Sequence, residues 1–383
     1  MKRRRFLHGC ASAAAVPLLG GCVRANVAAH RSYAAPDISF TEDACGLPPV
    51  HVAPEREIRT VVGLRPYRPS GFVVRAERLG DTLVVHNYGH GGSGITLSWG
   101  TAKLAVDIGA PGHRGDVAVL GSGAVGLATA ALLQEAGFDV TMYTKALPPE
   151  TTSNIAGGQW FPAFLVDPAR RTAEFDAQLL AAAEYAYHRY QIMAGPRFGV
   201  RWMRNYYLNH RPFNDDGYIG ARSPLRAMMP EFADLGTGEH PFTGYEFVRR
   251  FDTMIVEPPV YLAAMLDEFR LAGGRLHVRE IADRAAVEAL PEKLVFNCTG
   301  LGAKTLFGDE ELTPVKGQLT ILLPQPEVQY AVLAGDLYMF PRSDGIVLGG
   351  THEQGEWSLA PDLARKAEIL AGHRALFDGF RRC

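Results

Sequence analysis

Three glycines stand within six residues at 121–126, GSGAVG. Glycines at this spacing can make a tight turn (Gly121), admit a pyrophosphate close to the backbone (Gly123) and let a helix pack closely on a strand (Gly126). A helix starting there would offer free N–H groups and a partial positive charge to phosphates. A second glycine-rich stretch, HNYGHGGSGITLSWG at 86–100, leads from a loop into an apolar segment through Leu97, Trp99, Ala102 and Leu104. Donors at such a helix N-terminus suit a group that gains negative charge.

The elements that must position the first motif are legible around it. In DVAVLGSGAVGLATAALLQEAGFDVTMYTK, Val117, Val119 and Leu120 predict a short buried strand. Ala128, Ala130, Ala131, Leu132 and Leu133 continue a helix that stops at Gly137, and Val140, Met142 and Tyr143 begin a second strand. A glycine motif alone is weak, but one inside a complete β-α-β unit predicts dinucleotide binding. The acidic residue expected about 20 residues on, to hold the ribose hydroxyls, is replaced by Thr144 and Lys145. Either a hydroxyl or backbone group substitutes, or Lys145 meets a phosphate as in NADP enzymes, or the lysine is merely solvated.

The chain has 383 residues, 47% of them hydrophobic, enough for one large or two interleaved domains. A net charge of −2 without a basic stripe gives no reason to expect nucleic acid. No apolar run reaches the roughly 20 residues that span a bilayer. Five scattered cysteines (10, 22, 45, 298 and 383) do not read as a disulfide framework. Residues 1–22 read as an export signal: Arg3-Arg4 followed by Phe6-Leu7 makes a twin-arginine pattern, and LLGGC ends at Cys22 in what resembles a lipoprotein cleavage box. The expected location is the periplasmic side, with a lipid on Cys22 as the sole link to a membrane. Residues 23–57, rich in Pro and Ala, read as a tether.

Further stretches carry a resemblance. LPPETTSNIAGGQWFPAFLVDP (147–168), FNCTGLGA (296–303), KGQLTIL (316–322), VVGLRPYRP (61–69) and HNYGHGGSGITLSWGTA (86–102) together resemble the D-amino-acid oxidase family over nearly all of 58–380. The resemblance implies FAD as cofactor and a D-amino acid as substrate. It also implies an α/β fold, in which a Rossmann-like FAD-binding domain with a βαβ unit interleaves with an α+β substrate domain on a mixed sheet. The family order is departed from: the GLRP and HNYGHGG stretches, which end the chain in relatives, here precede the fingerprint, and the C-terminal GHRALFDGFRRC stops just before where GLRP would follow. A circular permutation is the simplest account, with the old ends joined through APGHRGD at 110–116. A misassembled gene is the alternative.

By the same resemblance, Arg65 grips the substrate carboxylate, which its planar fork matches. Tyr338 gives a second bond to that carboxylate, and the Gly92 carbonyl locates the amine. Cofactor contacts fall to Gly121, Gly123 and Gly126, to Thr151, Thr152, Ser153, Gly157, Gly158 and Gln159, to Thr299, and to Gly91, Gly92, Ser93, Gly94, Ile95 and Thr96. No side-chain base is required, so His90 reads as a structural hydrogen-bonder and Arg68 as a structural arginine. Gln159 and Phe161, flanking Trp160, are expected near the flavin face. Ala334 stands where animal relatives often carry a lid tyrosine, which implies an open site or a faster product exit. The FAD-binding domain is expected over 80–165, 275–308 and 345–383, and the substrate domain over 58–79, 166–274 and 309–344. Oxygen or a membrane quinone would reoxidise the flavin. An NAD(P)-linked dehydrogenase and a non-catalytic flavin-binding lipoprotein are the competing readings.

Overall fold

The computed structural model describes residues 44–380. The export signal, Cys22, the tether up to residue 43 and the last three residues lie outside that range. Strands and helices are numbered in chain order. Six strands form one sheet: β2 (Val73–Leu79), β3 (Thr82–Tyr88), β4 (Val117–Leu120), β5 (Val140–Thr144), β9 (Arg275–Val278) and β10 (Leu294–Asn297), in the order β2-β3-β10-β4-β5-β9. From β3 to β9 every pairing is parallel, and β2 closes one edge as an antiparallel hairpin with β3. All residues of β4, β5 and β10 are buried, as a parallel sheet covered on both faces requires.

Helices cover that sheet. α1 (Gly94–Gly109) and α2 (Ala124–Glu135) pack side by side, and α3 (Ala173–Ile192) lies on α1. Gly100 of α1 faces the backbone of Ala182 in α3, where a Cβ would overlap it. Thr172 caps α3 by accepting from the Phe175 N–H, and α4 (Pro258–Leu271) starts with Pro in its first turn. Trp99, Leu97 and Ala102 of α1 are fully buried in the same cluster as Phe296 and Val119 of the sheet. The short helices α5 (Arg284–Glu288) and α6 (Gly302–Phe307) flank β10.

The other nine strands form a second, mixed sheet: β1 (Glu57–Tyr67), β6 (Val200–Asn209), β7 (Ala233–Leu235), β8 (Phe247–Val256), β11 (Thr313–Leu322), β12 (Tyr330–Ala334), β13 (Leu337–Arg342), β14 (Gly345–Gly349) and β15 (Glu353–Gln354). Their order is β1-β11-β14-β13-β12-β6-β8-β7, with β15 on β11. The chain crosses between the sheets several times. The β8-α4-β9 passage carries it from the second sheet back to the first, as 247–278 leads one to expect.

Four expectations need correction. Residues 45–57 are not a tether: Val50 and Val52 are buried with Phe377 and Leu376, and the Tyr330 hydroxyl donates to the Pro48 carbonyl at 2.6 Å. β2, assigned to the substrate side, belongs to the six-stranded sheet. Residues 345–380, assigned to the FAD-binding side, belong to the nine-stranded sheet, where β14 sits between β11 and β13 and α7 (Leu363–Asp378) packs against all three. The apolar β14 is buried on both faces because Ile346 and Leu348 enter one cluster and Val347 another. Finally, Cys45 is disulfide-bonded. Cys298 is a free buried thiol, and burial pushes its pKa up to about 12.

Candidate active site

At the fingerprint the local physics is visible atom by atom. Gly121 has φ +99°, and a Cβ there would stand 2.7 Å from the Cys298 carbonyl oxygen. Gly126, in the first turn of α2, faces the Gly121 carbonyl so closely that a Cβ would overlap it. Gly123 is the N-cap of α2 in extended conformation. Together they place a helix N-terminus whose own N-cap residue has no side chain at the carboxyl end of β4, where a parallel sheet takes a nucleotide.

The other expected cofactor residues gather there, with several side chains already engaged. Ser153 accepts from the Ala124 N–H at 3.1 Å and so caps α2. Thr151 donates to Asn154 at 2.9 Å, one turn of a short helix over Thr152–Ile155. The Thr299 hydroxyl donates to Asn297 at 2.7 Å, and the following Gly300 lies against Pro66. Thr144, standing where an acid was expected, spends its hydroxyl on the Ala146 carbonyl at 2.7 Å and on Ser122 at 3.0 Å. Lys145 is exposed.

The loop 89–93 and the start of α1 follow β3 of the same six-stranded sheet. Ser93 donates to the Ala163 carbonyl at 2.7 Å, and Thr96 to the Phe161 carbonyl at 3.2 Å. These side chains hold the backbone of 159–163 rather than projecting outward, so what the first turn of α1, Gly94 to Thr96, offers a ligand is its backbone N–H groups. Gly91 has φ +53°, and the exposed Gly92 donates its N–H to the Phe164 carbonyl at 3.3 Å. His90 is buried and bonded through Nε2 to Thr101 at 2.9 Å; burial pulls its imidazole down to about 3. It is therefore neutral across physiological pH, a tie between loop and helix. Gln159 donates to Asn205 at 2.6 Å, and Phe161 is buried beside Phe251.

Across the nine-stranded sheet, Arg65 and Tyr338 meet. Arg65 lies on β1 opposite Val315 of β11, and its guanidinium crosses over Gly317, where a Cβ would overlap it. Tyr338 lies on β13 opposite Gly349 of β14, and its ring covers that glycine in the same way. Arg65 donates from Nη2 to the Tyr338 hydroxyl at 3.4 Å and from Nη1 to the Thr351 carbonyl at 3.1 Å. Gly157 joins the two ends of the site: its Cα faces Phe340 and the edge of the Tyr338 ring, so a Cβ would lie 2.8 Å from Phe340. A guanidinium and a phenol aimed at one point can hold one carboxylate with charge-assisted hydrogen bonds.

Arg68, three residues on from Arg65, is different. It binds Asp309 at 2.9 Å and Glu311 at 3.0 Å, and Tyr88 donates to the same Asp309 at 2.8 Å. At the hairpin where a lid residue was in question, Ala334 is buried at the end of β12, and only Gly335 and Asp336 separate it from β13. Sequence reading missed Gly317, Gly349, Phe164 and His352. The glycines in KGQ and LGG were visible, but nothing local says that a distant side chain lies across them.

A glycine cradle of the dinucleotide kind on one sheet, with a guanidinium and a phenol meeting on the other, fits an oxidoreductase that binds a flavin nucleotide. The family model "FAD dependent oxidoreductase" (DAO) matches residues 40–108 and 116–383. A D-amino-acid oxidase from Rubrobacter xylanophilus is 34% identical over 277 residues, covering 69% of this chain and 79% of that protein. One from Streptomyces coelicolor is 31% identical, covering 68% and 78%. A human D-aspartate oxidase is 29% identical, covering 67% and 74%. Among solved structures, the glycine oxidase from Geobacillus kaustophilus aligns with a TM-score of 0.55 at 21% identity, over 70% of this chain and 79% of that one, a likeness of fold. The chain belongs to the DAO family of FAD-dependent oxidoreductases. The glycine cradle at the N-terminus of α2 fits the pyrophosphate of FAD, and the start of α1 would offer its N–H groups to the ring.

Proposed function

We propose that this enzyme oxidises D-amino acids to imino acids, which water hydrolyses to 2-oxo acids and ammonia. The observation that carries the reading is the meeting of Arg65 and Tyr338 at 3.4 Å on neighbouring parts of one sheet. Their joint target is the substrate carboxylate. The names of the relatives in Rubrobacter and Streptomyces agree with it. Bound FAD supplies the acceptor for the hydride that leaves the α-carbon. The protein's own work is placement: Arg65 and Tyr338 fix the carboxylate, the Gly92 carbonyl takes a hydrogen bond from the amine, and the walls exclude water. No histidine is needed as base, because the nitrogen lone pair moves in as hydride departs. Oxygen then takes the two electrons and two protons to give hydrogen peroxide.

Two further readings belong to the same proposal. The chain is a circular permutant of the family order. In support, the first and last described segments touch: Arg374 donates to the Val52 carbonyl at 3.3 Å, and Val50 shares a cluster with Phe377. Ends that adjoin can be rejoined and reopened without altering the packing. The protein is also exported through its twin-arginine signal, with Cys22 as lipid site; the bonded Cys45 suits an oxidising compartment.

The test is direct. Purified protein should be yellow, and D-alanine added without oxygen should bleach the flavin. Peroxide released on readmitting air identifies oxygen as acceptor; bleaching without peroxide, reversed by a quinone, would replace that part of the proposal. A flavin that no D-amino acid reduces would refute the substrate class.

A further inference from the structure

Cys45 is joined in a disulfide, and its sulfur lies 3.3 Å from the Gly238 carbonyl oxygen. The loop that carries Gly238 also receives the far end of the described chain. Thr243 donates its hydroxyl to the Gly379 carbonyl, and Phe380 pairs with Phe242 as an isolated bridge. The Phe380 ring meets Phe242 edge-on with centroids 5.3 Å apart and stacks on Tyr330 at 6.4 Å. The Tyr330 hydroxyl in turn holds the Pro48 carbonyl, three residues on from Cys45. Two segments far apart in sequence therefore meet on one loop and on one tyrosine.

Arg381, Arg382 and Cys383 follow Phe380, and three residues can extend about 10 Å. A disulfide needs its two Cα atoms about 4.4–6.8 Å apart, so position 383 is within reach of Cys45. The other cysteines have different fates. Cys298 is a free buried thiol. Cys10 and Cys22 fall within 1–22, where the export reading removes the first with the signal and gives the second to a lipid.

We propose that Cys383 is the partner of Cys45, and that their disulfide re-ties the chain where the permuted order cuts it. In the family order the stretch after α7 runs on into GLRP; here that connection is open, and a 45–383 bond is its covalent substitute. Each thiol gives up one proton and one electron as the Sγ–Sγ bond forms. A disulfide-exchange protein of the oxidising compartment takes up both electrons and both protons, its own disulfide opening to two thiols. A crosslink stabilises chiefly by constraining the unfolded chain, the more so the longer the loop it closes, and this loop spans nearly all of the described residues. The bond holds 45–52 against α7, which packs on β11, β13 and β14. His373 of α7 stands 3.1 Å from the Tyr338 carbonyl, so the strap lies directly behind the strand of the carboxylate grip. This assignment rests on the export reading for the fates of Cys10 and Cys22 and on the permuted order for its purpose.

The experiment uses the full-length holoenzyme with all five cysteines, equilibrated with oxidised and reduced glutathione, alkylated, and digested with chymotrypsin without reduction. Mass spectrometry should find the fragment carrying Cys45 joined to 381–383. Cys45→Ser and Cys383→Ser should each lower Tm by about 5 °C or more, and the double variant no further than either alone. Dithiothreitol should bring the parent to the same Tm, while kcat/KM for D-alanine stays within about two-fold. A bond from Cys45 to Cys10 or Cys22, a reducible dimer through Cys45, or free thiols at 45 and 383 overturns the assignment, as do additive losses in the double variant. Cell fractionation that finds the protein uncleaved inside the cell strikes the export reading alone and leaves the mapped pairing as it is.

Discussion

At the cofactor end, Gly121, Gly123 and Gly126 stand within six residues, and the atoms they make room for are the Gly121 carbonyl itself, Ser153 and Cys298. At the substrate end, Arg65 and Tyr338 are separated by 273 positions and meet because β1, β11, β14 and β13 lie in that order in one sheet. Each side chain there rests over a glycine of a third strand, Gly317 or Gly349. The first arrangement is made mainly by one short turn, with Cys298 and Ser153 packed against it. The second depends on the register of four strands, since a one-residue slip would turn Arg65 or Tyr338 to the opposite face.

Four substitutions would break or sharpen that contrast. The largest effect belongs to Gly126→Ala: a methyl group overlapping the Gly121 carbonyl should drive α2 off the turn and abolish flavin retention, read as a colourless protein whose circular dichroism is otherwise near the parent's. Arg65→Ala should keep full flavin content and lower kcat/KM for D-alanine by the equivalent of about 2–5 kcal/mol, from tens to thousands of fold. Parent-like kinetics would remove Arg65 from the site. Gly349→Ala should displace the Tyr338 ring, raising KM by about ten-fold or more, on the order of the 1.5–3 kcal/mol that a hydrogen bond to a charged group contributes, with less effect on kcat. The smallest catalytic effect is expected from Arg68→Ala. It strands the half-buried Asp309 and should lower stability by about 1–3 kcal/mol in urea titration, while KM stays within about two-fold. If Arg68→Ala instead raised KM as strongly as Arg65→Ala, the division of labour between these two arginines would be wrong.

How much was legible follows the same division. The strand-helix-strand around GSGAVG and the α1 helix after HNYGHGG were readable because their signals, buried runs, glycines and helix starts, act over a few residues. Membership of sheets was less so. The hairpin turn at Gly80, with φ +58°, was the available sign that β2 pairs with β3, yet the alternating VVRAERL fits an edge strand of either sheet. GIVLG at 345–349 is apolar throughout, and apolarity alone does not distinguish a parallel strand under helices from an antiparallel one with cores on both faces. Val50 and Val52 were lost among Pro and Ala, since two apolar residues make no period.

What the sequence by itself determined is the nucleotide cradle and, through its motifs taken together, the family. Conformational freedom at glycine and free N–H groups at a helix start are properties of short segments, so they can be read in order along the chain. Only the tertiary structure decided what meets the two arginines that the motif offers: Tyr338 and the Thr351 carbonyl at Arg65, Asp309 and Glu311 at Arg68. Those outcomes depend on strand order and on which charges are brought within a few ångströms, and neither is encoded in any one stretch of residues.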